Sequence, residues 1–294
     1  MAADNLTELV RRGVPQGEVH LIPVIEKELI HYDVLAALDK LGLIEKLVFH
    51  GGTCLRLCYG AQRRSEDLDF AYAGDLEALD LSRLEGLVSS SLQEKFGLSA
   101  IVRPPRRTVQ FATAKMQRWW MVVNTAPERP DLPSQKLKIE LVSVRTLTRS
   151  VRRVSRNYDY LAPSAGNMLV VCEAREEILA DKMVSFVNTP PTYMRKRDIW
   201  DMFFLLSQHG VSREGALAMV ADKMAIYGCG LSAAEFADEG ASRVGKVAES
   251  PDFAKEMLRF MTREAYEGML GTETKRLFAI EEVRELYRMV SRGV

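Results

Sequence analysis

Between Leu47 and Phe70 the chain reads LVFHGGTCLRLCYGAQRRSEDLDF, and this stretch constrains fold and chemistry more than any other. An apolar run enters Gly51-Gly52-Thr53, and the residues after it can start a helix. Asp67 and Asp69 follow, alternating with Leu68 and Phe70. In a strand that alternation puts both carboxylates on one face and both apolar side chains on the other. Two glycines let a backbone approach an anion closely, and a helix start offers free N–H groups and a positive dipole end. Paired carboxylates suit a hard, oxygen-loving cation such as magnesium. The order therefore fits a site for a nucleoside triphosphate and its metal. Gly51, Gly52 and Thr53 would cradle the phosphates, and Asp67 and Asp69 would hold the ion. Gly-Gly-Thr alone is a common turn and Asp-x-Asp alone a common solvated loop. Their joint occurrence between two apolar strands favours the site.

Around this stretch the pattern predicts an α+β protein. Residues 18–46 carry apolar residues at helical spacing and precede strand Leu47–Phe49, helix Cys54–Tyr59 and strand Leu68–Ala73. Leu76–Phe96 reads as one amphipathic helix ended by Gly97. Strands recur at Leu98–Val102, Val109–Lys115, Trp119–Thr125 and Lys136–Val144, broken by proline-rich turns. A seam falls at Ala162–Asn167, beyond which the chain looks almost wholly helical. Two domains are expected: 1–162, a mixed sheet with helices that carries catalysis, and 163–294, helical and closing a nucleotide cleft.

Three later segments add candidates. Strand KLKIELVSV holds Glu140 among apolar residues. A carboxylate in a mostly buried strand is costly unless a metal or an arginine meets it, or unless the strand is an edge with Glu140 facing water. In CEAREEILADKMVSF, Lys182 falls inside the apolar stripe, as does Arg175. A phosphate-lined cleft would satisfy such inward cations, as would a path to solvent along their stems. KRDIWDMFFLLSQHG is apolar nearly all round yet contains Asp198 and Asp201, for which Lys182 or Arg195 are natural partners.

Composition excludes some classes and leaves others. The chain has 294 residues, is 47% hydrophobic and carries no net charge. It contains no apolar run long enough to span a bilayer and no signal-peptide pattern at its start. Its four cysteines read as reduced core residues of a cytoplasmic protein. His50, Cys54 and Cys58 could share one helix face, although a structural zinc there would want a fourth ligand. Charge is uneven: Ser99–Tyr158 holds 13 Lys and Arg against three acids, and the rest holds 27 bases against 37 acids. The densest part is Arg145, Arg149, Arg152, Arg153 and Arg156. Lys115 and Arg118 lie just before Trp119-Trp120, a cation–aromatic pairing that single-stranded nucleic acid favours. A polyanion such as RNA, an acidic protein partner and an ordinary basic surface all remain open.

The order Gly-Thr then Asp-x-Asp resembles the DNA polymerase β-like nucleotidyltransferase superfamily. The wording HGGTCLRL…RRSEDLDF, with Ala180, Lys182, Arg197, Asp198 and Asp201 further on, resembles the AbiEii-type (MenT-like) nucleotidyltransferase toxins of bacterial toxin–antitoxin and phage-defence systems. Those typically read Lys-Gly-Gly-Thr-x-Leu and then Arg-x-Ser-x-Asp-Ile-Asp; this chain departs at His50, where the family has lysine. The resemblance covers roughly 18–210. It implies a polymerase β-like catalytic domain in which Glu140 is the third magnesium ligand beside Asp67 and Asp69. It further implies that Lys182, with Arg64 or Arg195, neutralises the leaving pyrophosphate, that Ser65 joins the nucleotide site, and that Asp198 orients Lys182 or activates the acceptor. The implied reaction is NMP transfer from an NTP to RNA, plausibly the 3′ end of tRNA. The implied partner is an antitoxin of winged-helix type. An aminoglycoside-like or protein acceptor, and a nucleotide binder without turnover, are the alternatives.

Overall fold

The computed structural model describes residues 6–292 except 112, 130, 191, 194 and 249, with the side chains of 111 and 248 also left aside. The chain forms two compact units. The first comprises residues up to Gly60, Arg64–Gln110 and Lys115–Cys172; the second comprises Ala61–Arg63, Phe111–Ala114 and everything from Glu173 on.

Two helices, α1 (Leu6–Arg12) and α2 (Ile22–Lys40), open the first unit. Strand β1 (Val48–His50) runs directly into α3 (Gly51–Tyr59), and β2 (Asp67–Tyr72) follows. Next come α4 (Leu84–Phe96), β3 (Ala100–Arg103), β4 (Val109–Phe111), β5 (Ala114–Val123), β6 (Gln135–Ser143), β7 (Ser150–Arg153) and β8 (Leu169–Cys172). The strands form one mixed sheet in the order β3-β5-β6-β2-β1-β8-β7, with β4 paired to β5. β1 is antiparallel to β2 and parallel to β8, and β2 is parallel to β6. The apolar face of β2 packs as its alternation dictates: Leu68 and Phe70 are fully buried, and Phe70 stacks on Phe49 with ring centroids 5.0 Å apart.

α2 is buried on nearly every side, so its polar residues need partners. Glu26 accepts hydrogen bonds from Thr7, Thr125 and Gln135, at 2.6, 3.0 and 2.7 Å. Lys27 of the same helix pairs with Glu66.

One expectation about elements gives way. The stretch from Leu76 to Phe96 is not one helix. A 3-10 turn at Leu76–Ala78 ends where Asp80 accepts the Ser82 N–H, and α4 starts only at Leu84. A short aspartate that caps a neighbouring amide offers the backbone an alternative to the helix. Beyond residue 162 the described chain is almost wholly helical, as expected, with β8 the exception. β8 inserts beside β1, so the first unit continues to Cys172.

The second unit holds α5 (Arg175–Asn188), α6 (Lys196–Leu206), α7 (Arg213–Tyr227), α8 (Ala233–Ala248), α9 (Phe253–Leu258), α10 (Arg263–Leu270) and α11 (Glu273–Ser291). α8 and α11 meet at Gly240, where a Cβ would lie 2.1 Å from the Tyr287 ring. The Tyr287 hydroxyl, buried with its ring, donates to the Met183 carbonyl of α5 at 2.9 Å. No helix among the described residues is long and apolar enough to cross a membrane.

Candidate active site

The register of the sheet assembles the acidic residues. Asp69 lies opposite His50 on β1 and Glu140 on β6, and Glu140 lies opposite Arg118 on β5. Asp67 lies opposite Lys138, and Lys138 opposite Trp120, which faces Arg103 on β3. Directly opposed residues share a sheet face. Two parallel rows therefore cross one face: His50–Asp69–Glu140–Arg118 and Asp67–Lys138–Trp120–Arg103. β6 lies inside the sheet, between β2 and β5, so Glu140 is no edge residue.

Gly51 belongs where these rows meet α3. Its φ is +76°, and a Cβ there would sit 2.5 Å from Asp69 Oδ2. Both the left-handed backbone and the close approach require glycine. Gly52 and Thr53 follow in the first turn of α3, both buried. The Thr53 hydroxyl donates to the Asp67 carbonyl, so it is already engaged in holding α3 against β2.

Asp69 is half-buried. Its carboxylate makes no hydrogen bond and no ion pair among the described residues. Burial pushes its carboxyl up; His50 and Lys138 oppose that, while Glu140 and Asp67 reinforce it. Asp67 and Glu140 are compensated differently. Lys138 Nζ lies 3.1 Å from Asp67 Oδ2 and 3.1 Å from Glu140 Oε2, and Arg118 reaches Glu140 at 3.0 Å. Burial alone would raise the Glu140 carboxyl, but Lys138 and Arg118 outweigh it and hold it low. Lys138 is the mirror case: burial opposes its charge, and Glu140, Asp67 and Asp69 more than restore it. The oxygens of Asp67, Asp69 and Glu140 do not all lie within 4.8 Å of one another. Even so, three carboxylates, one of them half-buried without an ion pair among the described residues, make an all-oxygen donor set that fits a hard divalent cation. Lys138 stands between two of them where positive charge is wanted. Sequence reasoning passed over Lys138, although its place two residues before Glu140 on one strand face was there to read.

The remaining candidates separate. Arg64 donates to the Tyr158 hydroxyl at 3.2 Å and lies 3.9 Å from Glu28, both within the first unit. Ser65 is buried just before β2. Lys182, Asp198 and Arg195 belong to the second unit, in one network whose lysine and aspartate are buried. Lys182 Nζ is 2.8 Å from Asp198 Oδ1 and 2.7 Å from Asp201 Oδ2. Arg195 pairs with Asp198. Arg63 grips Asp201 with two hydrogen bonds, at 2.8 and 2.7 Å. Burial would raise the Asp198 carboxyl, but Lys182 and Arg195 hold it well below the ordinary range. The pairing of Asp198 and Asp201 with basic residues is thus as expected, whereas Arg63, 138 residues from Asp201 in sequence, was not foreseen.

A basic concavity of about 480 Å³ lies on the β3–β5–β6 side of the sheet, lined by Arg103, Arg106, Arg107, Arg118, Trp120 and Lys136. Trp120 is 43% exposed. Arg103, Trp120 and Arg118 are members of the two rows, so this surface is continuous with the carboxylates on the same sheet face. The arginines singled out at 149, 152 and 153 sit elsewhere. Arg152 and Arg153 are on edge strand β7, with Arg152 over the Tyr59 ring, and Arg149 donates to the Glu45 carbonyl at 3.0 Å.

A family model described as nucleotidyl transferase AbiEii toxin, type IV toxin–antitoxin system, matches residues 33–282. No curated protein is significantly similar in sequence. Solved structures with a related course include an H. pylori protein described provisionally as a nucleotidyltransferase (15% identity, 95% of this chain and 97% of that one, TM-score 0.43). JHP933 from Helicobacter pylori is another (17% identity, 92% of each chain, TM-score 0.42). A third is an antigenic nucleotidyltransferase-like protein from Paracoccidioides brasiliensis (17% identity, 80% of this chain and 93% of that one, TM-score 0.35). With the family model covering most of its length, the chain belongs to the AbiEii family of nucleotidyl transferase toxins of type IV toxin–antitoxin systems.

Proposed function

We propose that the chain transfers a nucleoside monophosphate from an NTP to an RNA acceptor, with tRNA 3′ ends the foremost candidate, and that an antitoxin restrains it. The observation that carries this reading is the shared sheet face. The carboxylates Asp67, Asp69 and Glu140 and the basic, tryptophan-bearing concavity lie in two adjoining rows of one register. A polyanion on that concavity would be held by Arg103, Arg107 and Lys136, with a base stacked on Trp120, and would run toward the acids. Base–aromatic stacking contributes about 1–3 kcal/mol per base and tolerates any sequence. A small acceptor would have little use for so extended a basic surface.

Within this reading Asp67, Asp69 and Glu140 would hold magnesium, which supplies charge neutralisation on the triphosphate when bound. The free N–H groups at the start of α3, with Gly51 and Gly52, face the phosphates. Lys182, positioned by Asp198, and Arg195 neutralise the departing pyrophosphate. Arg64 and Ser65 border the nucleotide. Phosphoryl-type transfer asks little covalent chemistry of the protein, so these residues act by positioning and charge.

The test is incubation of the protein with each labelled NTP and total cellular RNA. Label should enter a discrete RNA species. The Arg103→Ala/Arg107→Ala/Trp120→Ala variant should lose RNA binding and flatten its salt dependence, because each lost phosphate contact releases fewer counterions. Binding of NTP should persist in that variant. Label on an aminoglycoside or a protein, with none on RNA, would overturn the acceptor assignment.

A further inference from the structure

Three of the four cysteines converge in the first unit. Cys54 and Cys58 stand one turn apart on the same face of α3, and Cys172 is the last residue of β8. Their sulfur atoms all lie within 4.8 Å of one another. Cys54 and Cys172 are buried, Cys58 is half-buried, and none forms a disulfide. We propose that Cys54, Cys58 and Cys172 form a thiolate site for one soft divalent cation of the zinc class, distinct from the carboxylate site on the sheet face.

Geometry supports it first. With metal–sulfur bonds of about 2.3 Å, three thiolates around one ion stand roughly 3.8–4.0 Å apart. The spacing present needs a contraction of under about 1 Å to meet that. Donor chemistry comes second. A donor set of three sulfurs selects soft ions over magnesium or calcium. Charge comes third. Three thiolates around a divalent ion leave a net negative charge, and Arg152, held over the Tyr59 ring at 5.3 Å, acts favourably on both Cys58 and Cys172. Cys58, only half-buried, is the most exposed of the three.

Sequence alone gave two of these ligands. Cys172 lies 114 residues after Cys58, and only the insertion of β8 beside β1, with Cys172 opposite Phe49, brings it to α3. An ion here would tie the body of α3, whose first residue is Gly51, to the end of β8. The ordinary alternative is that cysteines, among the most often buried residues, simply fill space.

The reduced full-length chain, freed of metal by dialysis, is titrated with cadmium as a spectroscopic probe. A sulfur-to-cadmium charge-transfer band should saturate at a single ion per chain and survive excess magnesium. Zinc should displace cadmium and raise the melting temperature. Cys172→Ala and Cys58→Ala should each lose the band, and Cys229→Ala should keep it. X-ray absorption on the unmutated zinc-loaded chain should show sulfur neighbours at about 2.3 Å, which keeps the test independent of any variant that folds poorly. Absence of the band in the wild type, or its persistence in Cys172→Ala, overturns the proposal. A disulfide within the cluster and no metal uptake would overturn it as well. None of these readouts involves nucleotide, so the outcome is separate from that of the transfer assay.

Discussion

Asp69 is held at a cost. It is half-buried without an ion pair, and its neighbours Glu140 and Asp67 add to the burden that burial imposes. Because its folded carboxyl is raised, its effect on stability grows in the opposite direction from that of a salt-bridged acid. Below the unfolded value of about 4 both states are protonated and nothing is lost; as pH rises, the unfolded chain ionises freely and the folded one resists. Asp69→Asn should therefore melt higher than wild type at neutral pH, with the gap shrinking toward pH 4. Magnesium should raise the melting temperature of the wild type and leave the variant unmoved, and transfer should be abolished. An Asp69→Asn protein with near wild-type transfer would remove Asp69 from the chemistry. This residue was legible from Asp67-Leu68-Asp69-Phe70 because strand alternation is local. Lys138 was not, because a lysine in an apolar strand looks like surface until its partner acids are placed.

The pair α5–α6 poses the same question for an element. Lys182 was visible in the apolar stripe of α5, and Asp198 and Asp201 in an apolar helix. Their pairing follows once the two helices face each other. What could not be read was Arg63, since nothing local ties a loop before β2 to a helix so far along the chain. Lys182→Ala should cost about 3 kcal/mol of stability, at the low end for a broken buried pair, because Arg195 and Arg63 remain on the two carboxylates. Asp198 is held low, so the network is whole above about pH 4 and comes apart as pH falls through the folded values. If Lys182 also meets the pyrophosphate, turnover measured where the variant is fully folded should fall by about 10²–10³. Melting temperature and specific activity together decide it: loss of the first with retention of the second makes Lys182 structural alone. Lys223 of α7 is a second case that the sequence concealed. It is fully buried among Glu173, Glu177 and Asp181, at 3.3, 2.6 and 3.0 Å.

At the scale of the molecule, the α+β class and the main strands were legible because hydrophobic periodicity reports them. β8 was missed because a short strand after a Pro-Ser-Ala-Gly-Asn turn carries little periodic signal. The basic segment was legible as a charge count, but its two ends lie on opposite edges of the sheet, something no count reveals. The face that holds Asp67, Asp69 and Glu140 exists only in one register of β2 against β1 and β6. A slip by one residue would turn Leu68, Phe70 and Ile139 onto that face and the acids away from it. Growth arrest by this chain, if it occurs on expression alone as its family leads us to expect, would then be a sensor of correct folding. Survivors selected after random mutagenesis should carry two kinds of lesion in comparable numbers: changes at Asp67, Asp69 or Gly51, and changes at buried positions such as Phe49, Leu68, Phe70 or Ile139. Survivors confined to the acids and Gly51 would show that the sheet tolerates damage without losing its alignment. For a cell in which the chain does arrest growth, the same coupling would leave a nascent or misfolded copy harmless until the last strand pairing closes.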